Sequence, residues 1–271
     1  MFQRLALFSL LIAQLARPAQ PLYVFDNGTG RGDLSPEAQT ELARRTGYAG
    51  IFWSGTANIP ELLAAHSARG MKVVGIYTGM NLADAKPQYD PGLPKAIEQL
   101  RGTGALITFT VSGKAKNGNG DDVALPVIQE VCDLAAKAGL KVALYPHYGF
   151  HVARVEDALR VISKAGRPNL GLVFNLCHFL RSGDEANLNL RLQDALPHTF
   201  MVSINGADHE GDWDRLIQPL DSGAFDVKGF VANLRRLHYD GPIALQCYNV
   251  KGDREDLLRR SSRAWTAWAG N

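Results

Sequence analysis

Eight short apolar runs, each followed by a segment of helical character, recur from one end of this chain to the other. The runs are Leu22–Phe25, Ala49–Trp53, Lys72–Tyr77, Ala105–Val111, Lys141–Tyr145, Leu170–Phe174, Thr199–Ile204 and Ile243–Cys247. Their near-continuous apolar character is that of parallel strands covered on both faces. Helix signals fill the gaps. Ser35 before Pro36, and Asn58 shortly before Pro60, mark helix starts. Over Val127–Ala138, one stripe holds Val127, Val131, Leu134, Ala135 and Ala138, while Gln129, Glu130, Asp133 and Lys137 fall off it. Gly47, Gly70, Gly139 and Gly241 stand between helix and strand, where left-handed residues end helices. Strict β/α alternation predicts a parallel sheet, and 271 residues suit its closure into one α/β domain, a (β/α)8 TIM barrel.

Several function classes fall away. The net charge is +2, and the basic residues near the end (Arg254, Arg259, Arg260, Arg263) alternate with Asp253, Glu255 and Asp256. That is a solvated helix face, so no nucleic-acid partner is expected. Gly28, Gly30 and Gly32 follow the first strand, but the third glycine comes too early for a dinucleotide fingerprint. The segment reads as a loop, and no nucleotide cofactor is expected. Cys132, Cys177 and Cys247 form no CxxC pair and read as small buried apolar residues. At the start, Arg4 precedes an apolar run from Leu5 to Ala16. Residues 1–19 therefore read as a signal peptide, with the barrel over 20–271, an exported product, and no membrane-spanning segment.

In parallel barrels, function gathers at strand C-termini and the loops after them. The first strand ends at Asp26 and Asn27, the second at Trp53 and Ser54, and the third at Tyr77 and Thr78. Tyr145, His147 and His151 follow the fifth, Asn175 and His178 the sixth, and Asn205, Asp208 and His209 the seventh. Gln246, Tyr248 and Lys251 follow the eighth. Four of the seven histidines thus converge on one end of the barrel. Amides there supply both donors and acceptors, suited to a hydroxyl-rich ligand. The expected substrate-binding residues are Asp26, Asn27, Trp53, Tyr145, Asn175, Asn205, Gln246 and Tyr248. The expected catalytic residues are His147, His178 and Lys251. The loop after the seventh strand, GADHEGDWD, reads either as a capped loop with Trp213 packed inward or as an acidic lid over the pocket.

Three short motifs carry a family resemblance: Gly47-Tyr48-Ala49-Gly50-Ile51 before the second strand, Asn175-Leu176-Cys177-His178 after the sixth, and Tyr239-Asp240-Gly241-Pro242-Ile243 before the eighth. In order and spacing the chain resembles the xylose isomerase-like sugar isomerase/epimerase superfamily. The resemblance implies a divalent metal held by two Glu, one Asp and one His at the ends of strands five to eight. The matching positions here are Tyr145, Asn175, Ser203 (or Asn205) and Gln246, all neutral. Neutral amides hold a hard dication far more weakly than carboxylates. Imidazoles of His147, His178 and His209, with Asp208 or Asp26, could instead recruit zinc, nickel or iron. A divalent metal, of unspecified identity, is therefore left open.

What the resemblance implies for activity is proton transfer next to a carbonyl of a sugar or keto-sugar, as in an isomerase or epimerase. His147 or His178 would be the base, with Lys251 or a metal on the oxyanion. A lyase or hydratase acting on 3-keto-glycosides needs the same elements. The lost carboxylates also permit a non-catalytic carbohydrate-binding barrel. In each case the partner is a small carbohydrate. A nuclease of the related endonuclease IV type would need more carboxylates at the strand ends.

Overall fold

The computed structural model describes residues 20–83 and 86–269. The expected signal peptide, 1–19, lies outside them. Eight parallel strands, β1 (Leu22–Phe25), β2 (Gly50–Ser54), β3 (Lys72–Asn81), β4 (Leu106–Ser112), β5 (Lys141–Leu144), β6 (Leu170–Asn175), β7 (Thr199–Ile204) and β8 (Ile243–Leu245), close in sequential order, β8 pairing with β1. Helices alternate with them. The predicted TIM barrel is therefore the observed fold. No helix among the described residues is long and apolar enough to cross a membrane.

Alternation along each strand separates two cores. Tyr23, Phe25, Phe52, Ala143, Tyr145, Val173, Met201 and Ala244 pack together inside the barrel. Their neighbours in sequence, among them Val24, Ile51, Trp53, Leu144, Phe174 and Leu245, join the larger core shared with the surrounding helices. This parity decides which strand-end residues face the barrel mouth.

Local departures from the sequence reading have simple causes. β3 runs four residues further than expected because Thr78–Asn81 pair with Phe109–Ser112 of β4. The helix expected from Val127 starts at Gly120, since Asn119 caps it by accepting from the Asp121 amide at 3.1 Å. Pro126 lies inside that helix, where it removes one ladder hydrogen bond without ending the element. The glycine loop after β1 is not a plain loop: Asp26–Thr29 forms one helical turn, closed by a left-handed Gly30. Gly47, Gly70 and Gly139 are left-handed as expected, but Gly241 is not.

Gly50 has a different task. A Cβ there would lie 1.9 Å from the Lys72 carbonyl oxygen and 2.8 Å from its carbon, both rigid backbone of the neighbouring strand. Gly50→Ala is expected to destabilise the protein by about 3 kcal/mol or more. Chemical denaturation measures it, and an unchanged midpoint would show that β2 and β3 can part locally.

Candidate active site

A cavity of about 330 Å³ opens at the C-terminal end of the strands. Its walls come from Phe25 of β1 and Asn27 just after it, Ser54 of β2, Tyr77 of β3, Tyr145 and His147 after β5, His178 after β6, and Gln246 and Tyr248 after β8. Arg31, Trp213 and Ile217 complete it. A larger cleft of about 770 Å³ lies at the opposite end, among the helix-to-strand turns at Gly104, Gly139 and Pro242. The smaller cavity is the candidate site, because barrel strands present their varied polar ends there.

The floor is neutral and hydrogen-bonded. Tyr145 is only 1% exposed, and its hydroxyl accepts from Gln246 Nε2 at 3.4 Å. Burial, with Cys177 and Tyr77 adding to it, holds the phenol well above its ordinary pKa. Tyr77, edge-on to Tyr145 with 5.0 Å between ring centres, is pushed up to about 12 by burial first. Gln246 Oε1 accepts from Asn27 Nδ2 and from the Tyr248 amide, the latter at 3.0 Å. Asp26 lies beneath: Oδ2 accepts from the Ser54 amide and Oδ1 from the Ser54 hydroxyl, both at 2.7 Å. Burial raises its pKa despite these bonds. Asp26 thus positions Ser54 and does not itself line the cavity.

His147 and His178 stand side by side in the cavity wall, with ring centres 4.0 Å apart. The backbone of one residue, Tyr148, sets both tautomers through its two flanking peptide groups. The amide of Tyr148 donates to His178 Nδ1 at 3.2 Å, so neutral His178 carries its proton on Nε2. The carbonyl of Tyr148 lies 3.1 Å from His147 Nδ1 and can only accept, so neutral His147 carries its proton on Nδ1 and keeps a lone pair on Nε2. Burial lowers the pKa of both, His178 the more, with His147 adding to the effect. Side by side stand one proton acceptor and one proton donor, both uncharged near neutral pH. Phe150 stacks on His147 at 3.9 Å, and Trp213 meets His178 edge-on at 5.0 Å, fixing both rings.

Burial of neutral histidines has a consequence for stability. His66, buried under the helix Pro36–Arg45, also has its pKa lowered by burial first. For all three, the folded pKa lies below the unfolded value of about 6.5. Their contribution is present above pH 6.5 and lost as pH falls through the folded pKa values. The melting temperature is expected to fall between pH 7.0 and 5.0, above the range where most carboxylates titrate. A flat or rising profile in differential scanning calorimetry would contradict the neutral assignment.

Not every expected site residue meets here. Asn27, Tyr145, His147, His178, Gln246 and Tyr248 come together. Trp53 points the other way, into the helix-facing core, and donates to the Ala57 carbonyl at 3.0 Å; strand parity gives its place to Ser54. Asn205 is buried and ties the following loop down through Gly206 O and Leu216 O at 2.8 and 2.6 Å. Asn175 is buried, its Oδ1 accepting from Cys177 Sγ at 3.1 Å. Lys251 is exposed, bonds to Asn249 at 2.8 Å and lines a neighbouring cleft instead. The additions are Arg31 and Ser54, with Phe25, Tyr77, Trp213 and Ile217. The sequence signal for Arg31 was a lone cation flanked by Gly30 and Gly32 at a strand end.

The proposed metal set does not assemble. Asp208 is held by Arg215 Nε and the Ala224 amide, both at 2.9 Å. His209 is exposed, 2.8 Å from Glu185. Among the described residues no group of three or more His, Cys, Asp or Glu is placed to hold a metal ion. Of the four positions that the family resemblance aligned with metal ligands, Tyr145 and Gln246 bond to each other. Ser203 is buried beside the Tyr145 hydroxyl, and Asn175 Nδ2 is buried without a partner among the described residues. An uncharged set of phenol, hydroxyl and amides does not fit a hard dication. The cysteines are not nucleophiles either, because burial pushes the thiols of Cys132, Cys177 and Cys247 up to about 12.

Fold and site together define a parallel-barrel protein with a polar, aromatic-walled pocket at its strand ends. The chain belongs to the xylose isomerase-like TIM barrel family, whose model matches residues 40–268. Solved structures share the fold at low identity. The apo 3-keto-D-glucoside 4-epimerase YcjR from E. coli is 17% identical with a TM-score of 0.75, over 92% of this chain and 99% of that one. A D-allulose 3-epimerase from Methylomonas sp., in complex with D-allulose, is 17% identical with a TM-score of 0.74, over 93% and 98%. IolI, with a bound zinc atom, is 17% identical with a TM-score of 0.71, over 92% and 98%. No curated protein sequence matches the chain.

Proposed function

We propose that this protein catalyses proton transfer at a carbon next to the carbonyl of a sugar or keto-sugar, an isomerase- or epimerase-like reaction. The observation that carries this reading is the opposed hydrogen bonding of His147 and His178 to the backbone C=O and N–H of Tyr148, which sets opposed tautomers. The lone pair on His147 Nε2 removes the carbon-bound proton. The Nε2–H of His178 donates to the carbonyl oxygen as it becomes an enolate. A neutral imidazole donor in a dry site stabilises that charge without first giving up a proton. Protonation of the same carbon on its opposite face, by water or a second donor while His147 gives its proton to solvent, gives an epimer; protonation of the neighbouring carbon by His147, with the hydroxyl proton on the first carbon passing to solvent as its new carbonyl forms, gives an isomer. Asn27 and Gln246 offer amide groups to the substrate hydroxyls, and Tyr77, Tyr145 and Trp213 wall the ring. The sugar epimerases with the same fold support this substrate class.

A β-elimination on a 3-keto-glycoside would begin with the same proton removal. Its support is the fold shared with a 3-keto-D-glucoside 4-epimerase and with a probable 3-DHS dehydratase. Proton NMR in D2O separates the readings. With aldoses, ketoses and 3-keto-glucosides as the panel, deuterium at the carbon beside the carbonyl establishes epimerase- or isomerase-like chemistry, and a released aglycone establishes the lyase. Exchange is expected to survive chelator, because the strand-end donors do not suit a dication. Saturable binding without exchange would leave a carbohydrate-binding barrel. Export through residues 1–19 belongs to the same proposal, and sequencing the N-terminus of the mature protein tests it.

A further inference from the structure

We propose that the cleft beside the catalytic cavity is a subsite for an oxyanion, a carboxylate or phosphate, on a part of the substrate beyond the reacting sugar unit. This rests on the proposed function only for which unit reacts. The cleft, about 490 Å³, shares Asn27 and Arg31 with the cavity, so the two spaces are contiguous. Together they fit a ligand larger than one sugar ring.

Charge in this cleft is one-sided. Arg31, Lys251 and Arg254 line it against a single acid, Asp33. Asp33 is already paired with Arg254 at 2.8 Å. Lys251 bonds only to the neutral Asn249 amide, at 2.8 Å. Arg31 donates to the Ser54 hydroxyl at 2.9 Å and lies 4.0 Å from Asp26. Both Asp26 oxygens already accept from Ser54, and the carboxylate is buried. Most of the Arg31 guanidinium is therefore left to the cleft. The catalytic cavity itself has no Asp or Glu in its wall. Neutral sugars offer hydroxyl donors that favour carboxylate acceptors, and neither space presents a free one. Arg31 at the junction, only partly balanced by Asp26 at 4.0 Å, and Lys251 further along the cleft fit an acidic substituent, with the planar Arg31 suited to bidentate contact.

Isothermal titration of the full mature chain with cellobiose, cellobiouronic acid and cellobiose 6′-phosphate tests this. At least one acidic disaccharide is expected to bind about tenfold or more tightly than cellobiose in low salt, with the preference shrinking in high salt. The arm that wins tells carboxylate from phosphate. Arg31→Gln and Lys251→Gln should each narrow the preference, while melting curves confirm that the variants fold. Equal affinity for all three sugars, no binding of either acid, or a preference that survives both substitutions would overturn the subsite. Preferential binding without deuterium exchange would instead sink the catalytic reading and leave the subsite standing.

Discussion

His147→Gln is expected to lower the rate of deuterium exchange into substrate by roughly 10²- to 10⁴-fold, the usual range for losing a positioned general base. Glutamine has similar reach but no basic nitrogen, so binding should change little while turnover falls. The wild-type pH profile carries the same signature. Exchange requires His147 uncharged, and burial lowers its pKa, with only the Tyr148 carbonyl opposing. The acid limb of kcat/KM should therefore lie below pH 6.5, and above it the rate should be flat until another group titrates. A limb at or above 6.5 would mean that the base is solvated or is another residue. A His147→Gln variant with full exchange activity would remove the residue from the mechanism.

The second large effect belongs to His178. Replacing it with Phe keeps the ring contact with Trp213 and removes the Nε2–H. A loss of roughly 10²- to 10³-fold in kcat is expected, as for deleting one oxyanion donor. His178→Gln, which restores an N–H donor, should recover part of it. A purely structural role predicts another pattern: both variants would lose thermal stability, and the folded fraction of each would keep its specific activity. Because His178 is deeply buried and its pKa is held well below the ordinary value, no acid limb should belong to it. The two variants are not expected to be additive, since the rings touch and both bond to the backbone of Tyr148.

The missing family ligand set has a concrete physical form. Where the resemblance implies carboxylates, Tyr145 fills the barrel interior and shares a hydrogen bond with Gln246. A large neutral side chain packed against Phe25 and Tyr77 takes the room and the charge that a dication would need. The proposed reaction accordingly uses groups that work without a fixed charge, as two oppositely protonated imidazoles do.

The eight-strand count, the parallel barrel and the end of the barrel that carries function follow from the sequence, because apolar runs and helix stripes are local patterns that tertiary contacts reinforce. Strand parity was also there to be read: Phe52 and Ser54 share one face of β2, and Ile51 and Trp53 the other. By that alternation Trp53 belongs to the helix-facing side, although its aromatic ring would suit a sugar site. Four other facts needed the folded chain. The loops after β7 and β8 carry Asp208, His209 and Lys251 away from the mouth, since irregular backbone has no period to project. The excursion after β7 returns Trp213 and Ile217 over the cavity through an antiparallel bridge between Gly206 and Gln218. Arg31 reaches the cavity because a single helical turn after β1, closed by a left-handed glycine, redirects the chain. Above all, residue types establish that two histidines are present, but not which nitrogen of each holds the proton. That depends on where the backbone of Tyr148 points its N–H and its C=O, in the peptide groups on either side of its Cα, and only the tertiary structure fixes those directions.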